Sequence, residues 1–141
     1  MSHPTYTGSC LCGGVQFRIQ GALDRIQVCH CMQCRKAQGT AVGTNVPVHT
    51  DQFTLERGAD LLTPFESSPG KQRVFCKMCG SPVYSKRTAL PDTLRVRVGL
   101  INEDVDPGLQ AHYFATDKAL WWPVCGDAPQ FEAGPGSRRI E

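Results

Sequence analysis

The stretch FCKMCGS, residues 75–81, carries the strongest structural signal in the chain. A Cys-x-x-Cys pair followed by glycine is typical of the tight turn, or knuckle, that presents two sulfurs to one zinc ion. Strand-forming residues flank the turn on both sides, with Val74 before it and Val83 and Tyr84 after it. The stretch therefore predicts a zinc knuckle between two β-strands.

A second cysteine pair lies near the N-terminus, in the stretch GSCLCGG of residues 8–14. Residues two apart in a strand point to the same face, so Cys10 and Cys12 can offer both sulfurs to one ion. The glycines that follow allow the backbone to turn closely around a metal. Together with Cys76 and Cys79, this pair predicts a closed tetrahedral site of four thiolates, the usual form of structural zinc.

The third cluster, CHCMQCRK at residues 29–36, has a different form. Cys29 and Cys31 share a strand face, and if Cys31 opens the short helix that follows, Cys31 and Cys34 lie on the same side of it. Three protein sulfurs leave one coordination position of a zinc ion open. An open position is typical of catalytic zinc, in which water or substrate takes the vacant place and the metal acts as a Lewis acid.

Other arrangements of the cysteines stay open at this stage. Cys31 and Cys34 could join Cys76 and Cys79 in an ordinary two-knuckle zinc ribbon, although ribbons usually separate their knuckles by about 15–20 residues. The separation here is far larger. Cys125 could complete the second site, but its place after two tryptophans favours a buried apolar thiol.

Four further residues carry candidate functional groups. His30 lies between two ligands in a strand, so its side chain should point away from the metal, and it is predicted not to be a ligand. His112 is either a hydrogen-bond donor to the ligands or an ordinary half-buried histidine. Arg35 and Lys36 either form a solvated helix face or, beside a zinc ion with three thiolates, offset the negative charge or bind a carboxylate of a ligand.

The rest of the chain predicts a mainly β fold. Residues 15–20 (VQFRIQ) and 94–98 (LRVRV) alternate apolar and polar residues, which is typical of strands with one buried face. One short helix is predicted at Met32–Gln38, where the following glycine would end it. Turns are predicted at four short stretches that contain glycine or proline, residues 13–14, 69–70, 91–92 and 106–108.

Length and composition indicate a single globular domain. The chain has 141 residues, of which 40% are hydrophobic, and a formal net charge of +2. We predict a zinc domain at residues 1–131 and a flexible tail at residues 132–141. The absence of a long basic run argues against nucleic-acid binding, and the absence of an apolar run of about 18 residues argues against a membrane span.

The cysteine content bears on the cellular compartment. The first eight residues lack the basic start and apolar stretch of a signal peptide, so a cytoplasmic location is predicted. In a reducing cytoplasm, clustered cysteines are more often metal ligands or redox groups than disulfides.

Taken together, the three clusters resemble those of the glutathione-dependent formaldehyde-activating enzyme family, which also includes the centromere protein V type. The shared pattern is GSC-x-CGG, CHC-x-x-CRK and FC-x-x-CGS in this order, and it continues at residues 98–101 and around His112 and Trp121. The resemblance implies a compact β fold of the Mss4-like, or β-tent, type. It also implies two zinc ions, a structural one at Cys10, Cys12, Cys76 and Cys79 and a catalytic one at Cys29, Cys31 and Cys34.

By the same resemblance, the expected activity is that of a zinc-dependent carbon–sulfur lyase. Its substrate would be the adduct of glutathione, or of another thiol, with formaldehyde or a small aldehyde. Glutathione would be the co-substrate. Its free thiol is mostly protonated at neutral pH, and coordination to zinc would convert it to the reactive thiolate. Arg35, Lys36 or Lys77 would steer the anionic tripeptide, whereas the catalytic residues and the oligomeric state are not indicated.

Two other functions are compatible with the sequence. A non-catalytic zinc-binding β module would bind a thiol or a protein partner, and a protein ligand that closes the second zinc site would favour this function. A redox enzyme related to methionine sulfoxide reductases would use Cys125 as its nucleophile, which requires an accessible thiol.

Overall fold

The computed structural model describes residues 3–141. Within this range the chain forms ten β-strands and one α-helix: β1 Thr5–Ser9, β2 Gln16–Gln20, β3 Ile26–Cys29, α1 Met32–Gln38, β4 Gly43–His49, β5 Phe53–Arg57, β6 Leu62–Ser68, β7 Lys71–Cys76, β8 Pro82–Arg87, β9 Leu90–Arg97 and β10 Leu109–Tyr113. The predicted mainly β fold with one short helix is confirmed. No helix in the described range has the length and apolar character needed to cross a membrane.

The chain forms two compact units, each assembled from two separate segments. The first unit contains the described residues up to Asp24 together with residues 46–106. The second unit contains residues 25–45 and 107–141. Each unit contains one of the two cysteine clusters described below.

The first unit contains two antiparallel arrangements of strands. β2 pairs with β1 on one side and with β5 on the other. β6, β7, β8 and β9 form a meander in which each strand pairs with the next. The FCKMCGS stretch lies at the turn between β7 and β8, so the predicted knuckle between two strands is confirmed.

The alternating pattern of β2 is reproduced in its burial. The side chains of Phe17 and Ile19 are buried, whereas Gln16 and Arg18 are partly exposed. Gly8 of β1 lies opposite Phe17, and a Cβ atom at this glycine would come within 2.1 Å of the Phe17 ring. The absence of a side chain at Gly8 therefore allows the aromatic ring to fill the core.

The structure corrects two expectations for β9. Residues 91–92 do not form a turn but lie inside the strand, and the turn is at residues 88–89. The pairing jumps from Arg87↔Leu90 to Lys86↔Leu94, and this bulge accommodates a proline that has no N–H to donate. At the other end the alternation stops at Arg97, which is buried, because the strand ends there and a 3-10 turn begins at Val98.

The second unit is organised around β3. This strand pairs in parallel with β10 and antiparallel with the first residues of β4. Helix α1 follows β3, with Cys31 as its N-cap and Gly39 as its C-cap. Gly39 has a φ of 64°, a left-handed conformation that glycine adopts without steric cost. The predicted helix bounds are confirmed.

The last residues of the chain also belong to the second unit. Phe131 forms an isolated antiparallel bridge with Arg139, and the N–H of Ile140 donates to the Gln130 carbonyl at 2.9 Å. The flexibility proposed for residues 132–141 and the boundary after residue 131 stay predictions.

Candidate metal centres

The first unit brings four cysteine sulfurs together. The Sγ atoms of Cys10, Cys12, Cys76 and Cys79 all lie within 4.8 Å of one another. The distance is 3.6 Å from Cys10 to Cys12 and 3.9 Å from Cys12 to Cys76. Zinc–sulfur bonds of about 2.3 Å place tetrahedral ligands about 3.8 Å apart, so these residues fit a zinc ion. We call this group the four-cysteine centre.

Backbone amides surround the sulfurs of the four-cysteine centre. The N–H of Gly14 donates to Cys12 Sγ at 3.4 Å, and the N–H of Val15 donates to Cys10 Sγ at 3.3 Å. At the other turn, Gly80 has a φ of 79°, which explains the glycine after the Cys-x-x-Cys pair. Such donors stabilise thiolates and orient them toward a cation.

Ser81 connects the two turns of the four-cysteine centre. The N–H of Leu11 donates to Ser81 Oγ at 2.9 Å, and Ser81 Oγ lies 3.3 Å from Cys79 Sγ. The hydroxyl of Ser81, followed by the N–H groups of Ser81 and Cys12, lowers the pKa of Cys79 to about 5. The spacing of the cysteines predicted that they share one metal site, but it did not indicate that Ser81 links the two turns.

The second unit brings together the three remaining clustered cysteines. The Sγ atoms of Cys29, Cys31 and Cys34 lie within 4.8 Å of one another. Cys29 ends β3, Cys31 caps α1, and Cys34 is buried within the helix. The N–H of Cys34 donates to Cys31 Sγ at 3.3 Å. We call this group the three-cysteine centre.

The ionisation of Cys29 indicates that the three-cysteine centre suits a cation. The neighbouring sulfurs of Cys31 and Cys34, followed by burial, raise the pKa of Cys29. Three thiolates this close repel one another unless a positive charge offsets them. A soft divalent ion such as zinc supplies that charge, and thiolates are the ligands it prefers.

Gly43 makes room for the three-cysteine centre. It lies opposite Cys29 in the pairing of β3 with β4. A Cβ atom at this position would lie 3.5 Å from Cys34 Sγ and 2.7 Å from Gln38 Nε2. Sequence reasoning missed this residue, although a glycine within a strand is a known sign of close approach.

Two alternative ligand arrangements are not found. Cys31 and Cys34 belong to a different group from Cys76 and Cys79, so the two-knuckle ribbon is excluded. Among residues 3–141, no fourth Cys, His, Asp or Glu joins the three sulfurs of the three-cysteine centre. Neither Cys125 nor a histidine closes it within the described part of the chain.

The expectation that Cys125 is buried is wrong. Its side chain is exposed, as are Trp121 and Trp122 before it. The two indole rings pack edge to face with centroids 6.3 Å apart, so they contact each other. The segment has no strand or helix to hold the rings over the thiol. The exposed thiol meets the access requirement of the redox hypothesis, which stays a prediction.

His30 and His112 form a buried pair in the second unit. His30 Nε2 lies 2.9 Å from His112 Nδ1, and the side chains are 1% and 5% exposed. Burial, then the charges of His112 and Lys118, lowers the pKa of His30 to about 4, and burial also lowers the pKa of His112. Both rings are therefore neutral near pH 7. His30 is not among the residues of the three-cysteine centre, and its predicted role as a non-ligand stays a prediction.

The two cations of α1 differ in their contacts. Arg35 is partly buried, and its Nη1 donates to the Asp117 carbonyl at 3.1 Å and lies 3.1 Å from Met32 Sδ. Lys36 is exposed to solvent. Both residues lie on the helix that carries Cys34. Their role in binding a cofactor stays a prediction.

Comparison with known proteins agrees with the cysteine pattern. The family model described as glutathione-dependent formaldehyde-activating enzyme matches residues 5–118. An uncharacterized lyase of Schizosaccharomyces pombe is 26% identical over 84 residues, which are 57% of this chain and 57% of that protein. A crystal structure of a Rhodobacter sphaeroides protein is similar with a TM-score of 0.58 and 25% identity, covering 72% of this chain and 91% of that one.

A second curated relative carries a different name. A 4-diphosphocytidyl-2-C-methyl-D-erythritol kinase of Alkalilimnicola ehrlichii is 30% identical over 109 residues, which are 70% of this chain and 37% of that protein. The chain thus spans 57% and 37% of the length of the two curated relatives. The kinase activity in the second name is a property of that longer protein.

Proposed function

The chain belongs to the glutathione-dependent formaldehyde-activating enzyme family, and from this premise we propose that it is a zinc-dependent carbon–sulfur lyase. Its substrate is the adduct of glutathione, or of a similar thiol, with formaldehyde or a small aldehyde. The lyase named among its relatives supports the reaction class. The four-cysteine centre would hold a structural zinc ion, and the three-cysteine centre a catalytic one.

One observation carries the proposal: three sulfurs converge in the second unit, and no fourth protein ligand joins them within residues 3–141. Structural zinc sites are almost always closed by four protein ligands, whereas catalytic sites keep a position for water or substrate. The first unit provides the contrast within the same chain, because its four sulfurs form a complete set.

In the proposed reaction, one carbon–sulfur bond forms and one carbonyl π bond breaks. The sulfur of the thiolate adds to the aldehyde carbon, a carbon–sulfur bond forms as the carbonyl π bond breaks, and the oxygen takes up a proton. The lyase direction reverses each step. A zinc ion held by Cys29, Cys31 and Cys34 would supply Lewis acidity that favours the deprotonated form of an additional thiol.

The residues of the second unit serve this reaction by holding charges in place. Cys29, Cys31 and Cys34 carry one more negative charge together than a zinc ion offsets, and Arg35 and Lys36 on the same helix reduce that excess. The contact of Arg35 with the Asp117 carbonyl fixes the guanidinium beside the helix. Lys36 is free to meet a carboxylate of the tripeptide.

The test compares wild type with Cys31→Ser and with the matched control Cys125→Ser. Cys125 is exposed and outside both groups, so the control removes a thiol without touching a metal centre. We expect Cys31→Ser to contain one zinc ion fewer per chain than wild type. It should also show no glutathione binding in calorimetry and no acceleration of adduct exchange in NMR measurements. The control should retain all three.

Two outcomes would contradict the proposal. Glutathione binding that survives loss of the second zinc ion would remove the metal from the mechanism. Binding without any acceleration over the spontaneous reaction of glutathione with formaldehyde would instead indicate a thiol-binding module.

A further inference from the structure

The buried pair of His30 and His112 has no role in the proposed lyase reaction, yet one member of the pair adjoins the three-cysteine centre in sequence. His30 stands between Cys29 and Cys31. We propose that the hydrogen bond between His30 and His112 is a positioning contact that holds Cys29 and Cys31 in the orientation needed to bind the metal. The inference rests on the proposed function in taking this centre to bind a metal ion.

The orientation of the His30 ring is coupled to that of the two flanking cysteines, because all three residues belong to one extended backbone segment. Cys29 ends β3, and Cys31 is extended with φ −65° and ψ 154°. Successive side chains of an extended segment point to opposite faces, so the two sulfurs lie on one face and the His30 ring on the other. Any rotation of the segment that frees the ring also turns both sulfurs.

The backbone around His112 is held in place by hydrogen bonds. Its backbone N–H donates to the Pro129 carbonyl at 2.8 Å, and its carbonyl accepts from the Phe131 N–H at 2.8 Å. The neighbouring Tyr113 carbonyl accepts from the His30 N–H at 3.0 Å. The strand that carries His112 is thus bonded to residues 129–131 on one side and to His30 on the other. The 2.9 Å hydrogen bond between the rings then restricts the orientation of the His30 side chain.

The bond uses one specific nitrogen of each ring. His30 Nε2 faces His112 Nδ1, whereas His30 Nδ1 and His112 Nε2 are buried without a hydrogen-bond partner among the described residues. Two neutral imidazoles form one hydrogen bond between them, and either ring can be its donor. Asparagine can replace a histidine that bonds through Nδ1, and glutamine one that bonds through Nε2, because their amides occupy those positions.

This correspondence gives matched pairs of variants. His112→Asn and His30→Gln keep a polar atom at the bonded position, whereas His112→Gln and His30→Asn displace it. Each pair has the same chemistry and similar volume, so a general loss of the imidazole affects both members. Only the positioning contact separates them.

The experiment reads the metal centres and the sulfurs separately. Each variant is titrated with Co²⁺, whose thiolate absorption bands report the metal at each centre. Iodoacetamide labelling of each cysteine in the metal-free protein is followed by mass spectrometry. The four-cysteine centre is the internal standard in every sample. We expect His112→Gln and His30→Asn to weaken Co²⁺ binding at the three-cysteine centre by about tenfold, as loss of a supporting residue typically does.

The same two variants should change the labelling rates of Cys29 and Cys31, while His112→Asn and His30→Gln stay near wild type. Equal behaviour of the two members of a pair would overturn the positioning contact. So would loss of the metal in a folded His112→Asn or His30→Gln, a result that needs neither of the disruptive variants to fold. A wild-type protein that binds no metal at the three-cysteine centre would refute the proposed function, whereas the labelling rates would still test the histidine contact.

Discussion

At the scale of single residues, the space around a sulfur matters as much as the sulfur itself. Gly43 lies opposite Cys29 in the pairing of β3 with β4, and its missing side chain leaves space beside Cys34 Sγ. We expect Gly43→Val to exclude metal from the three-cysteine centre, because its methyl groups extend beyond a Cβ that already lies 3.5 Å from that sulfur. Zinc content and Co²⁺ absorption measure the loss.

Valine suits a β-strand better than glycine, and the Gln38 amide that its Cβ would meet is the end of a flexible side chain that can move aside, so the backbone of β4 should tolerate the change. Thermal unfolding of the metal-free protein should therefore be little altered. Gly99→Ala is the control, because a Cβ at that residue meets no atom within 4 Å. Full occupancy of both centres in Gly43→Val would show that this glycine does not protect the metal site.

The residues that sequence reasoning found and missed differ in the range of their contacts. The seven clustered cysteines were recognised because their spacing over two to three positions fixes which sulfurs can share an ion. Gly43 and Ser81, which sequence reasoning missed, contact cysteine segments through strand pairing and a hydrogen bond between separate segments. His112 was a candidate, but its partner His30 is 82 positions away in the sequence. Only the fold brings such partners together, and no local pattern records the pairing.

At the scale of elements, the two turns of the four-cysteine centre depend on one side chain. Ser81 accepts from the Leu11 N–H of the first turn and contacts Cys79 Sγ of the second. We expect Ser81→Ala to speed the transfer of zinc from this centre to a chromogenic chelator by about tenfold, in line with the effect of other supporting residues. The Leu11 N–H would lose its acceptor, and Cys79 Sγ would lose its hydrogen-bond partner.

Two variants bracket this result. Ser81→Thr keeps the hydroxyl and should release zinc at nearly the wild-type rate. Ser9→Ala removes a serine next to Cys10 that makes no side-chain hydrogen bond in the described residues, and it should also have no effect. A release rate for Ser81→Ala equal to that of Ser9→Ala would refute the link between the turns.

Element boundaries were predicted where a local signal fixes them. The ends of α1 follow from Cys31 as N-cap and from Gly39 in a left-handed conformation, both of which depend on neighbouring residues. The turn expected at Pro91 was wrong because a bulge in the pairing with β8 absorbs the proline inside β9. Bulges depend on the partner strand, so the sequence of one strand does not reveal them.

At the scale of the whole molecule, the two units differ in the completeness of their metal centres. The first unit contributes four sulfurs and the second contributes three. A centre with an open position and one fewer thiolate should give up its metal more readily, and metal binding stabilises only the folded state that forms the site. Removal of metal should therefore proceed in two separate stages.

A titration with a zinc chelator, followed by zinc analysis and by thermal unfolding, tests this order. We expect the first zinc ion to leave the three-cysteine centre with a limited loss of thermal stability. The second should leave the four-cysteine centre with a larger loss, because four ligands from two distant segments then lose the ion that joins them. Cys31→Ser should show the second stage alone. Simultaneous loss of both ions, or early loss from the four-cysteine centre, would contradict the division into a structural and a reactive site, since that division requires the closed centre to hold its metal longer.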